Sequence, residues 1–294
     1  MRIYHKAVVG LALSALALPG LMQSALADPP QIQKIVLKPD VAALLKQSTD
    51  VYKRMKSYRH TALLVIEGKN PANGQVIKQE TRFTLALERP NKFAYKNDVK
   101  PTAAAVSDGK TFINFRGSDV PQYTKQSAPA DFKGINIVDD VTFEPMATYL
   151  IALMLQGDAL ADKDVRAAME RASLKPATVT ENGKKWQVLV FPFGQGQQDP
   201  TEIYFNAEDH LIGKAVQRLA QFDITIVETF ENVSANKSVE ASVFQYTPPD
   251  NAKHVEKFIP VQKPDDARNI LRRTFKPVLT SLEKVDRAPS RNKN

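Results

Sequence analysis

Residues 60–67 read HTALLVIE and residues 186–191 read WQVLVF, and in both the apolar side chains occupy alternate positions of either parity. Successive side chains of a strand point to opposite faces of its sheet. Such segments therefore demand a sheet whose two faces are both covered. The segments around them are short and separated by turn chemistry. After HTALLVIE comes a turn region containing Asn73-Gly74, and QVIKQETRFTLALE (75–88) returns from it. Pro90 ends that strand, and KFAY (92–95), TAAAV (102–106), the turn Asp108-Gly109 and TFINF (111–115) follow. Further on, ATVTE and KWQVLVF flank Asn182-Gly183, while TEIYF (201–205) and LIGKAVQRLA (211–220) flank a turn near Glu208-Asp209. In FDITIVETF (222–230), Phe222, Ile224, Ile226 and Phe230 share one face. Asn-Gly and Asp-Gly pairs between alternating segments are hairpin signals. The pattern predicts antiparallel meanders rather than βαβ units.

Two helical segments must supply the cover. Asp40 is placed to cap a helix over 40–58, with Leu44, Leu45, Ser48, Val51, Tyr52, Met55 and Tyr58 on one face and Lys46, Asp50, Lys53 and Arg54 on the other. Residues 144–157, EPMATYLIALMLQG, put Met146, Tyr149, Leu150, Leu153 and Met154 on one stripe, with Ala147, Ile151 and Leu155 beside it. A helix apolar nearly all round is a buried one, and this one is too short for a bilayer span of roughly 20 residues. The first helix is expected on one face of the sheet and the second on the other. A charged helix over 161–172 follows. The fold class is α+β, mainly β: helix, meander, helical insert, meander. A curved sheet lidded by so few helices can enclose an apolar cavity; the alternative is a filled core.

The ends set the compartment. Arg2 and Lys6 precede an apolar run broken by Pro19 and Gly20, and Ala25-Leu26-Ala27 completes the order of a secretory signal peptide. Cleavage before Asp28 leaves 267 residues of the 294 and lowers the net charge from +8 to +6. The expected location is therefore the periplasm, with a soluble mature chain. Residues 28–39 form a lead-in, 40–255 one domain and 256–294 a basic tail. Beyond residue 267 the tail carries Arg268, Arg272, Arg273, Lys276, Lys284, Arg287, Arg291 and Lys293 against Glu283 and Asp286. An exported chain has little use for nucleic acid, and an anionic membrane surface or an envelope protein is the partner such a tail suits.

The residues of catalysis do not assemble in the sequence. His60, His210 and His254 are far apart and there is no cysteine, so neither metal nor other cofactor is expected. Glu208-Asp209-His210 reads as a polar turn, because consecutive residues cannot form a triad. AAVSDGKT (104–111) lacks the first glycine of a phosphate-binding loop and runs into a strand. The expectation is a non-catalytic protein.

LERPNKFAY (87–95) and AVSDGKTFINF (105–115), with the amphipathic helix before them and FQYTPPDNAK (244–253) after them, resemble the LolA-like outer-membrane lipoprotein carrier superfamily. The resemblance covers most of 40–253 and implies an incomplete antiparallel β-barrel, an N-terminal amphipathic helix, a helical lid inserted mid-chain, and a closing strand near 244–253. It implies that Arg89, the arginine of the Arg-Pro pair, hydrogen-bonds the lid backbone and latches it. Phe83, Leu85, Leu87 and Phe93 then form the inner wall, and Met146, Leu150, Leu153 and Met154 the lid. The implied role is a periplasmic carrier or binding protein for a lipid, an acyl chain or a lipoprotein. The alternative is a non-catalytic protein-binding or sensor domain at the cell envelope with a filled core.

Overall fold

The computed structural model describes residues 36–69, 75–98, 103–117, 120–138, 141, 145–192, 200–219 and 223–258. The leader, the Asn73-Gly74 turn, Phe222 and nearly all of the basic tail lie outside them. Helix α1 spans Pro39–Arg54. Six strands follow: β1 (Ser57–Lys69), β2 (Val76–Glu88), β3 (Lys92–Asn97), β4 (Ala103–Asp108), β5 (Thr111–Arg116) and β6 (Gln122–Ser127). Helices α2 (Met146–Gln156) and α3 (Lys163–Glu170) are inserted next. The chain then returns to β7 (Ser173–Leu174), β8 (Val179–Glu181), β9 (Lys184–Pro192), β10 (Pro200–Asn206), β11 (Ile212–Leu219), β12 (Ile224–Ala235) and β13 (Lys253–His254).

These strands make one curved sheet in the order β13-β6-β5-β4-β3-β2-β1-β12-β11-β10-β9-β7, with β8 paired to β9. All pairs are antiparallel except β13 with β6. Two up-and-down meanders are therefore joined where β1 meets β12, and the sheet does not close on itself. This is the incomplete barrel that the strand pattern and the resemblance implied. At Asn182 (φ 50°) and Gly183 (φ 75°) the β8–β9 hairpin takes the left-handed backbone that an Asn-Gly turn supplies. A bulge sits in β10–β11, where Tyr204 faces Lys214 and Phe205 faces Ile212. The extra residue is Gly213, and a Cβ there would lie 2.4 Å from the Trp186 ring.

The two main helices share a face, contrary to the expectation of one on each. Val41, Leu44, Leu45 and Tyr52 of α1 join Leu150, Ile151, Leu153, Met154 and Leu155 of α2 in a single buried cluster with the concave side of the sheet. The opposite, convex face at β2–β4 is covered instead by residues 239–246. Ala86, Ala94 and Val106 stand opposite one another across these strands, and Val239, Val243 and Phe244 pack on them. The expected closing strand at 244–253 is replaced by a 3-10 turn at Ala241–Phe244, an unpaired stretch and the two-residue β13. Pro248 and Pro249 have no N–H to donate to a ladder, and Phe244 and Tyr246 spend their rings on the convex face. Helix α1 also ends earlier than its apolar periodicity suggested. Met55 is already extended, and Tyr58 belongs to β1, paired with Leu87 and Ala235. Asp40 lies inside the first turn rather than at the cap, which Lys38 occupies.

The stretches LERPNKFAY and AVSDGKTFINF, which carry the resemblance, are bonded to each other. Asn91 Nδ2 donates to the carbonyls of Gly109 (3.0 Å) and Pro129 (2.8 Å). Ser107 Oγ donates to the Asn91 carbonyl at 2.7 Å. Asp108 Oδ1 accepts from the backbone of Lys110 and Thr111, and these bonds hold its carboxyl below the ordinary range. The turns after β2 and β4 are thus one polar unit at one end of the sheet.

Two substitutions test these contacts. Ala94→Leu forces a bulkier side chain to fit under Val243 and Phe244, and about 1–3 kcal/mol of stability is expected to be lost in urea unfolding, as for other overpacked sites. Asn91→Ala strips the Gly109 and Pro129 carbonyls of a donor, and a comparable loss of about 1–3 kcal/mol is expected. Unchanged unfolding midpoints would mean that neither contact bears on the fold.

Candidate functional site

The residues anticipated as wall and lid come together. Phe83, Leu85 and Leu87 of β2 and Phe93 of β3 are buried on the concave face, as are Leu150, Leu153 and Met154 of α2. Met146 is partly buried against the same cluster. Phe83 stacks on Tyr95 with centroids 5.9 Å apart, and Phe93 on Phe132 at 5.0 Å. The helix between is apolar on every side, so its burial follows from its sequence alone. What places it is polar, and is concentrated at its two ends.

At the C-terminal end, Arg89 Nε donates to the Met55 carbonyl at 2.9 Å, and Nη2 donates to the carbonyls of Lys53 (3.1 Å) and Leu155 (2.7 Å). One guanidinium thus joins the ends of α1 and α2, where the helix carbonyls lack partners and carry the negative end of the dipole. A planar fork of five donors suits this arrangement, and an ammonium does not. Gln156 Nε2 adds bonds to the carbonyls of Phe132 (3.0 Å) and Ile135 (2.6 Å). The left-handed Gly157 (φ 93°) then ends α2, packed against the Lys53 side chain.

At the N-terminal end stands Glu228 of β12. Its Oε2 accepts from the Ala147 N–H at 2.9 Å. Its Oε1 accepts from the Thr148 N–H at 2.9 Å and from the Thr148 hydroxyl at 2.6 Å. With that hydroxyl proton turned toward Glu228, Thr148 Oγ1 can accept from His60 Nε2, 3.2 Å away, and Nδ1 is left to accept from the Tyr58 hydroxyl at 3.0 Å. Burial drives His60 down to about 3, so its ring is neutral. Its ring also packs on Phe230 at 4.5 Å. On α1, Tyr52 accepts the Ile212 N–H at 3.0 Å, and Ser48 donates to the His210 carbonyl at 2.8 Å.

A second buried carboxylate shows what sets Glu228 apart. Glu202, on the convex face, meets Lys175 at 2.9 Å, Arg218 at 3.7 Å and the Tyr204 hydroxyl at 2.7 Å. Burial raises its pKa, and these partners outweigh burial, so it stays below the ordinary value. Glu228 has an uncharged helix end and a threonine instead. Burial dominates there, and the carboxyl is raised from 4.5 to about 7.

Arg89 and all eight apolar residues were singled out from the sequence, and the Glu228 cluster was not. The signal was present: Glu228 occupies an inward position of the alternation that carries Ile224, Ile226 and Phe230. An acid at a core position is a residue seeking a partner. Glu208 and Asp209 do lie in the turn between β10 and β11, where Asp209 accepts from the Leu211 N–H at 2.9 Å.

Residues 41–150 match the model of a family described as "Predicted periplasmic protein (DUF2092)". No curated protein matches the chain. Among solved structures, it is similar to an uncharacterized conserved protein from Thermus thermophilus, with 13% identity, a TM-score of 0.39, and coverage of 74% of this chain and 98% of that one. It is also similar to LolA superfamily protein NE2245 from Nitrosomonas europaea, at 8% identity and a TM-score of 0.31, covering 72% of this chain and 98% of that one. The Mycobacterium tuberculosis lipoprotein LppX gives 12% identity and a TM-score of 0.33, with coverage of 69% and 99%. At these scores the fold stands on the chain's own strands and helices. Among the described residues no helix is long and apolar enough to cross a membrane. The periplasm, implied by the first 27 residues, is also the compartment in the family's description.

Proposed function

We propose that this protein is a non-catalytic periplasmic carrier or binding protein for a lipid, an acyl chain or the acyl group of a lipoprotein, taken up between the concave sheet and α2. The observation that carries this reading is the manner in which α2 is held. Its long buried surface is apolar, and Arg89, Gln156 and Glu228 anchor its two ends. Apolar contacts are non-directional, so Phe83, Leu85, Leu87 and Phe93 can exchange helix side chains for methylene groups once the ends are released. Met146 and Met154 suit a surface that repacks around varied chains. Each buried CH₂ contributes about 0.8 kcal/mol, so a chain of roughly a dozen methylenes offsets on the order of 10 kcal/mol of lost lid contacts. In this reading Arg89 is the latch, the leader directs export and is then cleaved, and the basic tail brings the mature carrier to anionic headgroups.

Native mass spectrometry of the protein purified from its own periplasm, followed by solvent extraction, tests the reading directly. A stoichiometric lipid or acylated peptide is expected. A clean ligand-free mass, with no uptake of a fluorescent fatty acid, would favour the protein-binding or sensor role with a permanently filled core. Arg89→Leu removes three bonds from a charged donor, each of which contributes about 1.5–3 kcal/mol in comparable settings. Uptake of the fluorescent fatty acid should therefore accelerate by roughly tenfold or more, and an unchanged rate would remove the latch role.

A further inference from the structure

Glu228 closes the N-terminal end of α2 with a titratable group, where a serine, threonine or asparagine cap would have sufficed. We infer that this end of the lid is a proton-operated hinge, in which the charge on Glu228 sets how readily α2 lifts from the sheet. The inference deepens the carrier reading in that it supposes α2 moves, but its test needs no ligand.

The geometry is that of a carboxylate with hydrogen bonds and no countercharge. Glu228 is 3% exposed and receives Ala147 N–H, Thr148 N–H and the Thr148 hydroxyl. The titratable groups facing it are Tyr58 and His60 from β1, with Tyr52 from α1 and Asp209 from the β10–β11 turn behind Tyr58. Its register neighbours are Leu64 on β1 and Ala215 on β11. Among the described residues no lysine or arginine forms an ion pair with it. Burial keeps the two tyrosines and His60 uncharged in the neutral range. Glu228 is therefore the member of this cluster that changes charge there.

The sign follows from the two environments. Under the closed lid burial holds the carboxyl near 7, and in water it returns toward the ordinary 4.5. The closed form thus binds the proton more tightly than the lifted form. Closure is favoured most below about 4.5, weakens as pH rises between 4.5 and 7, and changes no further above that range. Alkaline conditions favour the lifted helix because an ionised Glu228 regains water.

Hydrogen-exchange protection factors of the α2 amides in the ligand-free protein, which divide out the intrinsic pH dependence of exchange, read the hinge. Between about pH 5 and pH 8 protection is expected to fall by about tenfold or more, a factor of ten corresponding to each pKa unit of difference between the two states. Glu228→Gln keeps the shape and one acceptor, and should flatten the profile. Thr148→Val covers the case in which that variant does not fold. It removes the hydroxyl donor that favours the carboxylate, so the midpoint of the profile should move to higher pH. A merely structural cap would lose protection equally at every pH. Protection that does not change with pH in the native protein, or that changes alike in Glu228→Gln, overturns the hinge whatever the outcome of lipid extraction.

Discussion

The pairing of β1 with β12 is the contact on which the rest of the molecule depends. It joins the first long strand to the last, with the two meanders and the helical insert lying between them in the chain. Its register sets Leu64 against Glu228 and Ala62 against Phe230. A slip of one residue would turn every side chain of one strand to the other face. Glu228 would then point away from α2, and the anchor at the helix N-terminus would be lost. A bulge in this pairing, where Arg59–Thr61 meets Glu231–Ser234 and Asn232 takes φ 53°, bends the sheet beside His60. The bulge and the polar cluster lie at the same place.

Given that register, the division of labour between apolar and polar groups is simple. Burial of α2 holds the lid down without choosing where it lies, because hydrophobic contacts carry little directional information. Position comes from hydrogen bonds at the helix ends. Arg89 ties the Leu155 carbonyl of α2 to the Lys53 and Met55 carbonyls at the end of α1. Glu228 accepts two backbone N–H groups and the Thr148 hydroxyl at the other end of α2. Both are charge-bearing side chains acting on backbone groups, and they differ in one respect. Arginine stays charged at any accessible pH, whereas a carboxyl without a countercharge does not. In the hinge proposed above, one end of α2 is held by a constant interaction and the other by a variable one.

The convex face follows different rules. Across β2, β3 and β4 it presents Ala86, Ala94 and Val106, small enough for Val243 and Phe244 to settle on them. Across β9 and β10, Val188 and Tyr204 pack beside the Trp186 ring that Gly213 admits. These contacts explain, without a helix on the second face, why WQVLVF is apolar on both parities, whereas Leu63 and Val65 of HTALLVIE stay half-buried on that face.

Much of this was legible in the residues themselves. Alternation, Asn-Gly and Asp-Gly turns and an all-apolar helix are local properties, and local physics decides them: strands, hairpins, the existence of α2 and the inward set Phe83, Leu85, Leu87 and Phe93. The resemblance carried by Arg-Pro-Asn and Ser-Asp-Gly-Lys-Thr pointed to Arg89, and the structure adds why the two stretches occur together, since Asn91 and Ser107 bond across the turns. Other outcomes needed contacts between distant residues. Tyr58 continues the apolar stripe of α1 by spacing, yet the ladder with Leu87 and Ala235 claims it for β1. Which face each helix takes, what covers the opposite face, and the meeting of His60, Thr148 and Glu228 across 168 residues of chain all depend on β-sheet register. The sequence by itself determined the elements and their buried sides, because those follow from neighbours along the chain. Only the tertiary structure decided the partners, because a buried charge or a free helix end is satisfied by whatever the fold brings within about 3 Å of it.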